Sequence, residues 1–278
     1  MKIALGTVQW GLNYGISNKN GIPSNDEIKS ILTFAIESGI DLLDTASTYG
    51  NAENRIGNHS SKKFRIVTKL GSIITGSSIK EEVEKSLKNL KIKKIYGCLF
   101  HNANELLDNR SMWKDIQAQK KEGLIKKIGY SLYHPKELEK LLQLNYLPDL
   151  IQIPFNIIDR SFEPYFRQLK EMNIEIHARS IFLQGLLLNF QMMSQNKFSK
   201  WNPIWNFYQE WLKNNNLSPL EACIRHVLSY KEIKNFIIGV EQLSQLKQII
   251  VASKKSAIKA PKKLISYDQK LINPLSWL

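Results

Sequence analysis

Eight short runs of β-branched and apolar residues, each followed by a longer segment, mostly of helical period, leave this chain few folds to choose from. The strand-like runs lie at 2–8, 41–46, 64–70, 95–101, 126–132, 150–156, 174–181 and 235–240. Helical patterns occupy 24–38, 78–90, 110–121, 135–144, 163–172, 218–229 and 243–254. The first of these opens with Ser24 as N-cap and Glu27 three residues on, while Gly39 and Gly123 stand where helices end. Such repetition over 278 residues predicts an α/β fold, a single-domain (β/α)8 barrel spanning 1–278. The alternative is a doubly wound open sheet. That fold wants a G-x-G-x-x-G turn and a helix after strand one, whereas GTVQWGLNYG has other glycine spacing and no helix after it. Residues 182–217, with Phe182, Trp201, Trp205, Phe207, Tyr208 and Trp211, form the connection after strand seven. They read either as a substrate-facing loop or as an extra helical layer.

Composition narrows the function classes. Hydrophobic residues make up 43% of the chain, enough for a large core, so disorder over most of the length is excluded. No run approaches the ~20 apolar residues that cross a bilayer. Gly6, Gln9 and Gly11 break the opening MKIALGTVQWG too early for a secretory core, so a cytoplasmic location and no membrane partner are expected. Cys98 and Cys223 sit in apolar stretches outside any CxxC pair and read as buried thiols, with no metal site expected. The net charge of +14 raises the question of nucleic acid. Most lysines, however, interleave with glutamates, as in 79–94, and only Lys254, Lys255, Lys259, Lys262 and Lys263 crowd together. Without a recognition motif, no nucleic-acid partner is expected, and an anionic small substrate would account for the charge equally well. A monomer or small homo-oligomer is anticipated.

Barrel enzymes do their chemistry at the carboxyl ends of their strands. Strand two ends in Asp44, strand three in Lys69 and strand four in His101, and Tyr49 follows Asp44 by five residues. Singly, each has an ordinary structural role open to it: a loop cap, a solvated strand end, a hydrogen-bonded core histidine, a packing aromatic. Together they bring an acid, a phenol, an amine and an imidazole to one mouth. That set suits proton donation to a carbonyl oxygen as hydride reaches its carbon. A phenol with a pKa near ~10 needs a neighbouring cation to stabilise its phenolate, and a buried ammonium needs a carboxylate to hold its charge.

The segments GIDLLDTASTYGNAENRIG at 39–57, LGTVQWG near the start, VTKLG at 67–71, LFHN at 99–102 and GLIKKIGYSL at 123–132 resemble the aldo-keto reductase superfamily over essentially the whole chain. The resemblance implies Tyr49 as proton donor, Lys69 and Asp44 as its tuning pair, and His101 as the orienting residue. It implies NADP(H) or NAD(H) as cofactor, held without a Rossmann fold, and no metal. Ser131 and Gln152 match positions that hold the nicotinamide carboxamide, although Leu132 stands where asparagine is usual. Arg179 takes the place of a tyrosine that stacks on the nicotinamide. Ser180, Phe182, Gln184 and Gly185 fall where the pyrophosphate is wrapped; Gly6, Thr7 and Asp44 belong to the same cofactor set. At the adenosine end stand Gly239, Glu241, Gln242 and Gln245, with no Lys or Arg in 237–246 to meet a 2′-phosphate. NADH is therefore expected to serve at least as well as NADPH.

The implied function is NAD(P)H-dependent reduction of a small-molecule aldehyde or ketone. VQWGLNYGISNKNG and FLQGLLL resemble members associated with bacterial surface-sugar synthesis, which suggests a keto or aldehydo sugar, including nucleotide-linked forms. Trp10 and Tyr14 after strand one, with Tyr49 and His101, are candidate substrate contacts; Trp201–Trp211 after strand seven could overhang the same mouth. A glycosidase is disfavoured because no second carboxylate ends a facing strand. A regulatory protein that binds nicotinamide and a partner on the same fold is the alternative function.

Overall fold

The structure, a computed structural model, describes residues 2–16, 18, 20–59, 61–71 and 78–277. Each of the eight strand-like runs forms a strand: β1 Ile3–Gly6, β2 Leu42–Asp44, β3 Arg65–Leu70, β4 Ile95–Phe100, β5 Ile125–Ser131, β6 Leu150–Pro154, β7 Glu175–Arg179 and β8 Ile233–Gly239. All pair in parallel, and β8 returns to β1, closing the barrel in sequence order. The predicted helices appear at Asn25–Glu37, Ile79–Leu90, Ser111–Lys121, Pro135–Gln143, Phe166–Glu171, Pro219–Leu228 and Leu243–Ser253. Ser24 accepts a hydrogen bond from the Glu27 amide, as its capping position requires. Gly39 and Gly123 lie just past helix ends at φ +77° and +82°, a backbone region that costs glycine nothing.

The 182–217 connection is largely helical. It contains Phe190–Met193 and Asn202–Asn214, and most of its aromatics point into a second hydrophobic core, while Phe182 lines the cleft. Trp201, Trp205, Tyr208 and Trp211 are buried there with Leu264, Leu271, Ile272 and Trp277. They form a packed layer beside the barrel and do not overhang its mouth.

Alternation along the strands decides what the barrel presents. Ile3, Leu5, Leu43, Ile66, Cys98, Ile151, Phe236 and Ile238 belong to the main core shared with the surrounding helices. Ala4, Leu42, Val67, Leu99, Leu150 and Ile237 form a separate apolar cluster inside the barrel. Side chains two residues apart share a face. One step nearer the carboxyl ends, the same inward rows therefore carry Gly6, Asp44, Lys69, His101, Gln152 and Gly239. A fully buried aliphatic side chain contributes roughly 2 kcal/mol, so this plug fixes the register from which the polar layer projects.

Candidate active site

Tyr49 is placed by a close approach of two glycines. Gly50 has φ +55°, and a Cβ there would meet the Gly11 carbonyl oxygen at 2.5 Å; a Cβ on Gly11 would lie 1.8 Å from the Tyr49 carbonyl oxygen. Only glycine at both positions lets the turn after β2 lie against the turn after β1, with Tyr49 at the cleft between them.

Around it the predicted polar residues converge. Lys69 Nζ lies 2.6 Å from Asp44 Oδ2 and donates to the Thr45 carbonyl at 2.9 Å. Gln152 Nε2 donates to the other oxygen, Asp44 Oδ1, at 2.7 Å from across the barrel. Lys69 and Asp44 are only 1% and 3% exposed, so this ion pair is shielded from water. Burial pulls the Lys69 ammonium below its ordinary pKa, and the charge and hydrogen bond of Asp44 oppose that shift. Lys69 Nζ stands 5.2 Å from the centre of the Tyr49 ring. Burial, then the Asp44 charge, pushes the Tyr49 phenol well above 10, with Arg179 acting the other way. The resting phenol is thus firmly protonated. His101 meets the Tyr49 ring edge to face, centroids 5.7 Å apart at 81°, and its Nδ1 is 3.2 Å from Thr48 Oγ1. Burial, then Lys69 and Arg179, lowers its imidazole pKa to about 4.

These groups form one end of a cleft of about 730 Å³. Gly6, Thr7, Ser131, Gln152, Arg179, Ser180, Phe182, Gln184, Gly185, Gly239, Glu241 and Gln245 line it, as does Tyr14, which is 43% exposed and accepts a hydrogen bond from Gln184 Nε2 at 3.1 Å. Trp10 does not line it. This corrects its candidacy as a substrate contact: the side chain is fully buried and its indole N–H donates to the Val240 carbonyl at 3.2 Å. The short turn Val8–Trp10 folds the ring inward under β8's exit.

The cleft's donor set suits a nicotinamide dinucleotide. At the reacting end Ser131 and Gln152 offer paired polar groups on adjacent strands, in register. Midway, Ser180, Leu183, Gln184 and Gly185 have φ of +58°, +47°, +53° and +91°. Left-handed residues in close succession curve the backbone into the kind of concavity that receives anions. At the far end Glu241 is held by Asn20 Nδ2 at 3.3 Å and Gln245 Nε2 at 3.5 Å. Among the described lining residues the only lysine or arginine side chains are Lys69 and Arg179, both at the reacting end. Lys247 instead lies near Phe34, and Lys255, Lys259 and Lys263 are engaged with Glu221, Glu163 and Phe207. Among the described residues no His, Cys, Asp and Glu cluster suits a metal ion, and no helix is long and apolar enough to cross a membrane.

Several cleft residues escaped the sequence reading, three of them beside its named groups. Thr48 bonds His101, Tyr133 stacks under Arg179, and Gln9 fills the space that a side chain at Gly239 would take, 2.4 Å from its ideal Cβ. Tyr133 lies two residues beyond the strand-five end, within reach of the same strand-end rule.

The aldo/keto reductase family model matches residues 2–262. The uncharacterized oxidoreductase YqkF of Bacillus subtilis is 27% identical over 255 residues, 81% of each chain. The putative methylglyoxal reductase DkgA of Salmonella typhi is 28% identical over 134 residues, 46% of this chain and 48% of that one. Among solved structures, the aldo-keto reductase AKR11C1 of Bacillus halodurans superposes with a TM-score of 0.76 at 20% identity, covering 97% of this chain and 94% of its own. With a closed eight-stranded barrel and a family match over nearly its whole length, the chain belongs to the aldo/keto reductase family, an oxidoreductase family whose members generally use NAD(P)H.

Proposed function

We propose that the protein reduces a small aldehyde or ketone with NAD(P)H, Tyr49 giving the proton. The observation that carries this reading is the bonded chain Gln152–Asp44–Lys69 beneath the Tyr49 ring. When bound, the reduced nicotinamide supplies hydride to the carbonyl carbon. The residues of this chain manage the oxygen. Tyr49 holds its proton firmly at rest and releases it only as negative charge builds on the carbonyl oxygen. Lys69 stabilises the phenolate left behind, and Asp44 keeps Lys69 charged although it is buried. A neutral His101 whose Nδ1 accepts from Thr48 carries its hydrogen on Nε2, where it donates to the same oxygen and orients the carbonyl. Ser131 and Gln152 orient the nicotinamide, the Ser180–Gly185 bend receives the pyrophosphate, and Gly239, Glu241 and Gln245 receive the adenosine end.

The test is a panel of carbonyl compounds, from simple aldehydes and methylglyoxal to keto sugars and nucleotide-linked keto sugars, with consumption of NADH or NADPH followed by absorbance. Turnover that is lost in Tyr49→Phe supports the reading. No consumption above the uncatalysed rate with any compound overturns it.

A further inference from the structure

The reacting end of the cleft carries a charge that neither gives nor takes the transferred proton. Asp44 and Lys69 cancel as a bonded pair, and a neutral His101 adds nothing. Arg179 remains. It ends β7 beside Pro154 of β6 and lines the cleft together with Tyr49, Lys69 and His101. Its guanidinium lies over the Tyr133 ring, Cζ 4.4 Å from the centroid. Nη2 donates to the Leu132 carbonyl at 2.9 Å and Nη1 to Ser180 Oγ at 3.2 Å. These contacts fix the group, and every one of them is neutral. Among the described residues no carboxylate pairs with it. Asp159, a buried acid that feels its charge, is turned to Ser161, whose amide and hydroxyl donate at 3.1 and 2.8 Å. Unlike a lysine, an arginine does not shed its proton to relieve such a position.

A nicotinamide ring is neutral when reduced and cationic when oxidised, so a fixed cation that no carboxylate pairs treats the two forms differently. We propose that Arg179 makes this site discriminate between redox states of its nicotinamide, holding the reduced form more tightly and releasing the oxidised one, so that the enzyme loads with reduced cofactor and sheds it once oxidised. The inference rests on reading the cleft as a dinucleotide site. A unit charge several ångströms away in a partly shielded cleft is enough for roughly tenfold differences in affinity.

The experiment titrates the full chain with NADH, NAD+, NADPH and NADP+ and reads binding from quenching of tryptophan fluorescence or from calorimetry, for the parent, Arg179→Gln and Arg179→Lys. Comparing forms within each pair cancels any preference at the adenosine end. In the parent the reduced form should bind at least ~tenfold more tightly. Arg179→Gln should bring the ratio to within about threefold, chiefly by tightening the oxidised form, and Arg179→Lys should keep most of the bias. Equal affinities in the parent, or a glutamine variant that weakens both forms by one factor, would overturn the proposal and leave the dinucleotide site standing. Binding of none of the four would overturn the site and the proposal together.

Discussion

Lys69 Nζ sits 2.6 Å from Asp44 Oδ2 with both side chains almost wholly buried, so neither charge is stable without the other. Breaking a buried pair from one side leaves an uncompensated charge and costs about 3–5 kcal/mol. Asp44→Asn should therefore destabilise the fold by that order, and adding Lys69→Met should recover part of the loss. Denaturant unfolding of both variants checks this; a double variant no more stable than the single would show that the pair is not the source.

Tyr49→Phe should keep dinucleotide affinity and lower kcat at least ~10²-fold, the lower end for removal of a general acid. Lys69→Met should cost a comparable factor and move the basic limb of the pH profile upward, because the phenolate loses its stabilising cation. Unchanged turnover in the first variant, or an unmoved limb in the second, would overturn the assigned roles.

The His101 imidazole should remain neutral across the physiological range. Its folded pKa, lowered to about 4 from 6.5, means that the unfolded chain takes up a proton which the folded site refuses. Its contribution to stability is complete above pH 6.5 and declines as pH falls toward about 4. Proton NMR of the imidazole should show a midpoint below 5 and no His101 limb in activity between about pH 5 and 8. A midpoint near 6.5 would contradict the burial argument.

Glu241 should set cofactor choice. Its carboxylate, steadied by Asn20 and Gln245, would repel a 2′-phosphate and would accept from a free ribose hydroxyl. We expect kcat/KM with NADH at least equal to that with NADPH, and a shift toward NADPH in Glu241→Lys. A parent that prefers NADPH more than ~tenfold, about 1.4 kcal/mol, would require a cation reaching the phosphate from outside the described lining.

Trp10→Ala should act on stability and not on recognition. Emptying a fully buried indole site costs about 3–5 kcal/mol, and the bond to Val240 goes with it. KM should change by the same factor for a bulky and a small carbonyl substrate. A selective loss for the bulky one would return Trp10 to the cleft.

Much of this architecture is legible in the sequence. The period-two rows that put Leu42 beneath Asp44 and Val67 beneath Lys69 are written in the strands themselves, so strand ends pointed to residues that converge on the cleft. Trp10 was misread because residue type does not tell a platform from a plug; only the inward turn of Val8–Trp10 does. The helix Ala52–Asn58 was missed for a related reason. Its buried face carries Glu53, which accepts from Thr68 Oγ1 at 2.7 Å, so a charged residue interrupts the apolar stripe. Thr48 is ordinary in sequence and gains its role only from where His101 arrives.

The second core has a consequence for the shape of the substrate end. It joins Leu183, Leu186 and Leu187, next to cleft residues Gly185 and Leu188, to Leu264, Leu271, Ile272 and Trp277. Leu275, from that same late stretch, reaches the cleft itself. The family model stops at residue 262. One wall of the cleft is therefore braced by a stretch that the shared family pattern does not describe. A change in that brace can therefore reshape what this cleft admits without disturbing a single barrel strand.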